Sequence, residues 1–124
     1  MSTKTTNGIR VEVKARYLEE KSAPTKNEYL FAYEINITNE NPEVVQLIHR
    51  HWIITDALGR VEEVKGPGVV GHQPRLKEGM SFRYESFCPL PTPFGSMKGS
   101  YKLLRDNGDI FTADIPLFSL VQKA

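Results

Sequence analysis

A glycine-rich segment, residues 66–74, has the spacing that most resembles a ligand-binding motif. Gly66, Gly68 and Gly71 fit the GxGxxG pattern of nucleotide-binding loops. A dinucleotide-binding loop needs a parallel strand before it and a helix that begins at it, because the helix N-terminus faces the pyrophosphate. Here Pro74 follows at once, and the next run of residues alternates as in a strand. The segment is therefore not a dinucleotide-binding loop.

Two interpretations of this segment remain. In the first, the glycines supply turn dihedrals and close backbone packing. In the second, successive N–H groups form a nest that binds phosphate, pyrophosphate or a nucleotide tail, and nearby cationic side chains add charge. The candidate residues of this anion site are Gly66, Gly68, Val69, Gly71, His72, Gln73 and Arg75. Pro67 lacks an N–H group, which favours the structural interpretation.

Two histidines form the candidate metal site. His49 and His51 alternate along a predicted strand, which places both imidazoles on one face. A zinc-like site needs about four ligands. No cysteine near them completes such a set, and Arg50 adds positive charge between them. We expect solvated histidines and no cofactor, with a metal site at these two residues as the weaker alternative.

Nucleophiles and bases do not assemble into a recognisable catalytic motif. Ser86 falls on the core-facing positions of its strand, and Asp56 belongs to a turn, where it caps the backbone. The chain contains neither an HExxH motif nor a nucleophile elbow. The single cysteine, Cys88, lies in an apolar context and predicts a buried, inert thiol. We therefore expect a protein that is not an enzyme.

The proline-rich segment 88–94 is the candidate partner-binding region. Leu90 and Phe94 either cover the core, which we favour, or stay exposed as a docking patch. Edge strands of an antiparallel sandwich offer a second mode, since they pair with an extended segment of another protein.

Composition sets outer limits on the function. The chain has 124 residues, which predicts one domain over residues 1–124. Its formal net charge of +1 gives no indication of nucleic acid binding. The apolar runs are too short to cross a membrane, and the polar N-terminus is unlike a secretory signal. With one cysteine and no internal disulfide, we expect a reduced, cytoplasmic protein of undetermined oligomeric state.

Period-two alternation runs through most of the chain. It is clearest in residues 9–17 and 29–38, where apolar side chains share one face. In residues 44–56 the alternation changes phase, which predicts a β-bulge near His49 to His51. Asn107-Gly108 predicts a type I′ hairpin, followed by a strand in which Phe111, Ala113, Ile115 and Leu117 face one way. About seven such strands predict an all-β, antiparallel sandwich of the immunoglobulin-like or fibronectin type III-like class, with Trp52 in its core.

Several blocks of residues in a fixed order extend over nearly the whole chain. They are Phe31-x-Tyr33-x-Ile35-x-Ile37, Leu47, Arg50-x-Trp52-x-Ile54-Thr55-Asp56-x-x-Gly59, Glu63-Val64-x-Gly66-x-Gly68-Val69-Val70-Gly71-x-Gln73-Pro74, Phe82-x-Tyr84-x-Ser86, Leu90-x-Thr92 and Gly95-x-Met97-x-Gly99-x-Tyr101. In these blocks the chain resembles the ApaG family. One departure is Lys77-Glu78-Gly79, where the family usually has proline before the glycine.

The resemblance implies a fibronectin type III-like sandwich without an established enzymatic activity. It also implies a loose association with cobalt and magnesium tolerance and, by gene neighbourhood, with diadenosine tetraphosphate breakdown. Eukaryotic relatives use the domain as a protein-interaction module. We therefore predict a non-enzymatic interaction module with an unknown protein partner. The alternative is a sensor that binds phosphate, pyrophosphate or a nucleotide at the Gly66–Gln73 loop.

Overall fold

Two β-sheets pack face to face in the computed structural model, which describes residues 1–122. The nine strands are β1 (Ser2–Thr6), β2 (Ile9–Tyr17), β3 (Tyr29–Asn39), β4 (Val45–Asp56), β5 (Val61–Pro67), β6 (Arg75–Leu76), β7 (Ser81–Leu90), β8 (Phe94–Arg105) and β9 (Ile110–Val121). Two short 3-10 helices, Glu19–Lys21 and Pro24–Lys26, lie in the β2–β3 connection. None of the helices in the described part of the chain is long and apolar enough to cross a membrane.

The strand order confirms the predicted sandwich. One sheet has the order β1-β2-β3-β7 and the other β5-β4-β8-β9, with β6 paired to β4 and every pair antiparallel. Without β1 and β6, three strands face four, as in a fibronectin type III-like domain. These two additional strands are the difference from the seven that the sequence predicts.

Strand β1 was not predicted, because its residues are polar on both faces. It pairs with β2 through a turn in which Asn7 and Gly8 have φ values of 51° and 76°. Two successive positive φ angles define a type I′ turn, for which Asn-Gly is the preferred pair. Lys4 of β1 contacts Asp114 of β9 at 2.9 Å. The hairpin therefore closes one side of the sandwich, where β1 lies against β9.

The predicted bulge in β4 exists, but it lies at Ile48. Leu47 pairs with Leu103 and His49 pairs with Lys102, so Ile48 is the additional residue. The position differs from the predicted one by one to three residues, because isolated apolar residues mark a phase change only approximately.

A second bulge makes part of the β9 prediction wrong. Met97 pairs with Phe118 and Gly99 with Ile115, so β9 has one more residue than β8 over this interval. Leu117 is therefore 64% exposed, whereas Phe118 is buried. A bulge reverses the face of every residue that follows it.

The prediction of a type I′ turn at Asn107-Gly108 is also wrong. Only Gly108 has a positive φ, of 93°. Its N–H donates to the carbonyl of Arg105 at 2.9 Å, and the N–H of Arg105 donates to the carbonyl of Asp109 at 2.8 Å. This is a three-residue hairpin in which glycine takes the left-handed position after a type I-like turn.

The core is aromatic at its centre, and Trp52 lies there as predicted. The Trp52 ring lies 5.3 Å from that of Tyr33 and 6.0 Å from that of Phe118, which joins the two sheets. A buried polar residue, Asn39, organises one end of the sandwich. Its side chain donates to the carbonyls of Glu43 and Leu76, both at 2.9 Å.

Candidate functional site: a cleft between β5 and β7

A cleft of about 320 Å³ lies on the side of the sandwich opposite β1 and β9. Strands β5 and β7 form its walls, and each is the edge strand of its sheet. The residues that line it are Tyr33, Arg50, Trp52, Ile54, Glu62, Val64, Val69, Val70, Tyr84, Ser86, Phe87, Cys88, Pro89 and Met97. The two sheets therefore leave their inner faces accessible between two unpaired strand edges.

The β4 bulge determines which side chains enter this cleft. Val45 and Leu47 face the core before it, whereas Arg50, Trp52 and Ile54 line the cleft after it. Without the bulge at Ile48, Arg50 would lie on the outward face. An arginine thus occupies an inward position of a sandwich, where apolar residues are usual.

The guanidinium of Arg50 is hydrogen-bonded to the backbone at the end of β5. Its Nη1 donates to the carbonyl oxygens of Pro67 at 2.9 Å and Gly68 at 3.1 Å. Gly66 pairs with Arg50 across the two strands, and a Cβ at Gly66 would lie 3.0 Å from Nη2 of the guanidinium. The absence of a side chain at Gly66 allows this close approach.

The glycine-rich segment begins with the last two residues of β5 and forms no helix. The N–H of Gly68 and the side-chain amide of Gln73 both donate to the carbonyl of Ile48 at 3.0 Å. These two bonds satisfy the carbonyl that the bulge displaces from the β4 ladder. Val70 and Gly71 have φ values of 42° and 82°, and they form a type I′ turn between Val69 and His72.

Most of the predicted anion-site residues already have contacts within the protein. The N–H groups of Val69 and His72 donate to each other's carbonyl oxygens at 2.8 Å, and Val69 is fully buried. The His72 ring lies 5.8 Å from that of Phe82, and Arg75 forms an ion pair with Asp106 at 2.9 Å. The segment therefore has a structural role, and binding of an anion to it stays a prediction.

The two histidines lie outside the cleft. His49 and His51 follow the bulge on the outward positions of β4, opposite in direction to Arg50. The Nε2 atom of His51 lies 3.0 Å from a carboxylate oxygen of Glu63. Among the described residues, no group of three or more His, Cys, Asp or Glu side chains is placed to hold a metal ion.

Leu90 and Phe94 differ in their exposure to solvent. Leu90 is only 4% exposed and belongs to the core, so the docking alternative is wrong for this residue. Phe94 is 53% exposed and pairs with Val121, which is 58% exposed. Thr92, which lies between Leu90 and Phe94 in the sequence, is buried. Its hydroxyl accepts a hydrogen bond from the N–H of Ala57 and donates one to the carbonyl of Phe94, so both of these polar functions are satisfied.

The cleft contains polar groups that favour the neutral state. Burial, with a smaller contribution from Glu62, raises the pKa of the Cys88 thiol to about 12. Burial also raises the pKa of Tyr84, whose hydroxyl shares a hydrogen bond with that of Tyr101. No hydrogen bond joins Ser86 or Cys88 to a histidine within residues 1–122. The cleft therefore contains no activated nucleophile of the serine or cysteine type in that range.

Sequence reasoning did not identify Arg50 as a site residue. The signal was present in the phase change of β4, because a bulge before Arg50 turns it inward. Phe87 and Val70 were also missed, and they are 54% and 51% exposed at the rim of the cleft. Their exposure depends on where the two sheets separate, which alternation does not encode.

Comparison with known proteins gives concordant matches. The family model of the ApaG domain (DUF525) matches residues 19–105. Protein ApaG of Paramagnetospirillum magneticum is 50% identical over 120 residues, which cover 97% of this chain and 92% of the relative. Protein ApaG of Brucella anthropi is 53% identical over 115 residues, which cover 93% of this chain and 88% of the relative.

Solved structures agree with the sequence matches. The structure of an ApaA protein from Bordetella pertussis has a TM-score of 0.89 at 49% identity and covers 91% of this chain and 92% of its own. The C-terminal domain of Wzt has a TM-score of 0.59 at 12% identity, covering 99% of this chain and 78% of its own. The likeness to Wzt is one of fold alone.

Proposed function

The chain belongs to the ApaG family, and from that premise we propose that it is a non-enzymatic protein-interaction domain. In this proposal, an extended segment of a partner protein binds in the cleft between β5 and β7. One observation carries the proposal. Strands β5 and β7 each have an edge without a neighbouring strand, and the inner faces of the two sheets are accessible between these edges.

The strand edges supply main-chain hydrogen bonds. Each of β5 and β7 has only one neighbouring strand, so each has backbone groups that face away from its sheet. Extended peptides bind such edges by adding a strand. On the opposite side, β1 lies against β9, which makes the cleft side the more favourable one for an additional strand.

The rim and floor of the cleft supply side-chain contacts. Phe87 and Val70 at the rim are about half exposed. Exposed aromatic and branched residues around a concave site are typical of protein interfaces. Arg50, Tyr33 and Ser86 add polar groups at the floor, where an inserted main chain or polar side chain finds partners.

Two features support a role other than catalysis. A thiol with a pKa near 12 is almost entirely protonated at neutral pH, so Cys88 is a poor nucleophile. The carboxylate of Asp56 accepts bonds within its own turn, from the N–H groups of Leu58 and Arg60. A lone protonated cysteine is also consistent with the reducing cytoplasm, which we propose as the location.

Selection of short random peptides tests the proposal. Peptides enriched on the wild-type chain are measured by fluorescence anisotropy against three variants. We expect Phe87→Asp, at the rim, to weaken binding by about tenfold or more. Leu117→Asp is the matched control, because Leu117 is also exposed but lies on β9. Phe94→Asp tests the remaining partner-binding candidate on the same scale.

Two results would contradict the cleft as the binding site. One is a failure to enrich any peptide above an immobilised unrelated protein. The other is loss of binding in Phe94→Asp while Phe87→Asp binds normally, which would place the partner on the exposed Phe94 and Val121 pair.

The sensor alternative at the Gly66–Gln73 loop has less support. Gly68, Val69 and His72 already donate their N–H groups within the protein, and Pro67 has none to offer. Thermal shift with pyrophosphate tests this alternative, since saturating ligand at ~100 Kd adds about 2.7 kcal/mol of stability. In the interaction proposal, any link to cobalt or magnesium tolerance passes through the partner.

A further inference from the structure

We propose that Arg50 gives the cleft an oxyanion-binding subsite, which takes the carboxylate of an acidic side chain in the partner's extended segment. This inference rests on the proposed function, because it names the chemistry that the segment must carry. It assigns a binding role to a residue that otherwise only fastens the end of β5.

The first observation is the number of donors that Arg50 retains. A guanidinium has five N–H groups, and Nη1 uses both of its own on the carbonyls of Pro67 and Gly68. Within residues 1–122, no hydrogen bond joins Nε or Nη2 to a protein acceptor. The Nε and Nη2 groups together match the two oxygens of a carboxylate, which arginine binds through parallel hydrogen bonds.

The second observation is the lack of a counter-ion. No carboxylate oxygen of the described residues lies within 4.0 Å of the Arg50 guanidinium. A partly buried cation of this kind is stabilised by whatever anion enters the cleft, because the surrounding apolar side chains strengthen the attraction. The hydroxyl groups of Tyr33 and Ser86, which face each other across β3 and β7, line the same cleft.

The third observation is the distribution of charge along the cleft. Glu62 also lines it, and it pairs with Ile54, which lies four residues after Arg50 on β4. At ~3.3 Å per residue, the two positions are separated by about 13 Å along the strand. The cleft is therefore cationic at the Arg50 end and anionic at the Glu62 end.

This polarity favours a peptide carboxylate over a free polyanion. A pyrophosphate or nucleotide tail brings several negative charges, whereas Arg50 is the one cationic side chain among the residues that line the cleft, so the remaining charges would have no cationic partner there. An extended segment places one acidic side chain at Arg50 and leaves the Glu62 end to neutral or basic residues. The strand edges on both sides bind its main chain at the same time.

Peptide selection with a charge reversal tests the inference. On the wild-type chain we expect enriched peptides to carry Asp or Glu at one fixed position. Replacing that residue by Asn or Gln should weaken binding at least tenfold. On Arg50→Glu, the same peptide with Lys at that position should bind better than the acidic original. Glu62→Gln and Arg83→Gln are the matched controls and should keep the preference for an acidic residue.

A second variant covers the case in which Arg50→Glu does not fold. Gly66→Ala adds a Cβ that would lie 3.0 Å from Nη2 of Arg50, so the guanidinium must shift by a few tenths of an ångström. We expect Gly66→Ala to weaken binding of the acidic peptide at least threefold. Binding of the peptide with Gln at the same position should be unchanged. Equal effects on both peptides would overturn the inference.

The outcomes separate this inference from the proposed function. Enriched peptides without any acidic preference would overturn the role of Arg50 and leave the interaction proposal intact. A failure to enrich any peptide would remove both. Binding of inorganic phosphate is measured as well. If phosphate binds more tightly than the acidic peptide, and Arg50→Glu abolishes this binding, the subsite belongs to a free anion instead.

Discussion

The backbone of Gly66 lies directly beneath the guanidinium of Arg50, with only 3.0 Å between Nη2 and the position that a Cβ would take. Arg50 reaches this place because the bulge at Ile48 turns it toward the inner face of its sheet. The glycine-rich segment that follows then satisfies the displaced carbonyl of Ile48 through Gly68 and Gln73. One bulge therefore links the sheet, the loop and the cleft.

Substitution of Gly68 tests how strongly this loop is constrained. Gly68 has a φ of 60°, and an added Cβ would lie 2.2 Å from the carbonyl oxygen of His72. We expect Gly68→Ala to lower the free energy of unfolding by more than ~2 kcal/mol, measured by urea denaturation. Gly71→Ala is the control, because its Cβ would meet nothing within 4 Å. It should cost only the conformational penalty of about 1 kcal/mol. Similar costs for the two variants would contradict the steric explanation.

A buried hydroxyl without a partner gives a second prediction. Within the described residues, the hydroxyl of Tyr17 is buried and has no hydrogen-bond partner. Removing an unpaired buried polar group costs nothing in lost bonds, so Tyr17→Phe should raise the unfolding free energy by up to ~1 kcal/mol or leave it unchanged. Tyr84→Phe is the matched control, since it breaks the bond to Tyr101 and should lower stability by about 1 kcal/mol. A loss in Tyr17→Phe as large as that in Tyr84→Phe would show that Tyr17 has a partner.

The sequence predicts some strands of this fold better than others. The alternation in β2 and β3 predicts both strands and their buried faces, because aromatic and branched residues fill most inward positions and all the charged residues lie on the outward side. Strand β1 gives no such signal, since Ser, Thr and Lys occupy both of its faces. Leu117 lies on the face opposite to the predicted one because simple alternation ignores the β9 bulge. Pro116, within the bulged interval, is a signal of it, since proline in a strand occurs at edges and bulges.

The candidate site is harder to predict from the sequence than the fold. Gly66, Gly68 and Gly71 stood out by their spacing, but their contacts serve the loop and the bulge. The residues that define the cleft, among them Arg50 and Phe87, are far apart in sequence and come together only when the two sheets separate at β5 and β7. Such a long-range arrangement is determined by tertiary packing rather than by local pattern.

The reactivity of Cys88 follows from its burial. With a pKa raised to about 12, the thiol holds very little thiolate at pH 8. We expect iodoacetamide to alkylate the native protein at least ~100-fold more slowly than the unfolded chain. The control is Ser119→Cys in a Cys88→Ser background, because Ser119 is exposed on β9. Native Cys88 that reacts as fast as this control would show that the cleft opens to the thiol.

The turn between β4 and β5 should contribute to acid sensitivity. Desolvation raises the pKa of Asp56, but the N–H groups of Arg60 and Leu58 and the Arg60 guanidinium outweigh it and lower the pKa below its ordinary value. The unfolded chain therefore takes up a proton at a higher pH than the folded one. The stability that Asp56 provides is present above about pH 4 and is lost as the pH falls further.

Urea denaturation as a function of pH measures this contribution. Asp56→Asn should be less stable than the wild type at neutral pH, and the difference should shrink as the pH is lowered toward about 2. A difference that stays constant over this range would show that the ionised carboxylate itself contributes nothing.

The most direct measurement of the cleft proposal is amide hydrogen exchange in the presence of a peptide selected on the wild-type chain. If the peptide adds a strand at the open side of the sandwich, exchange should slow in β5, β7 or both, while β1 and β9 exchange as in the free protein. Protection confined to the outward face around β8 and β9, with β5 and β7 unchanged, would contradict the account.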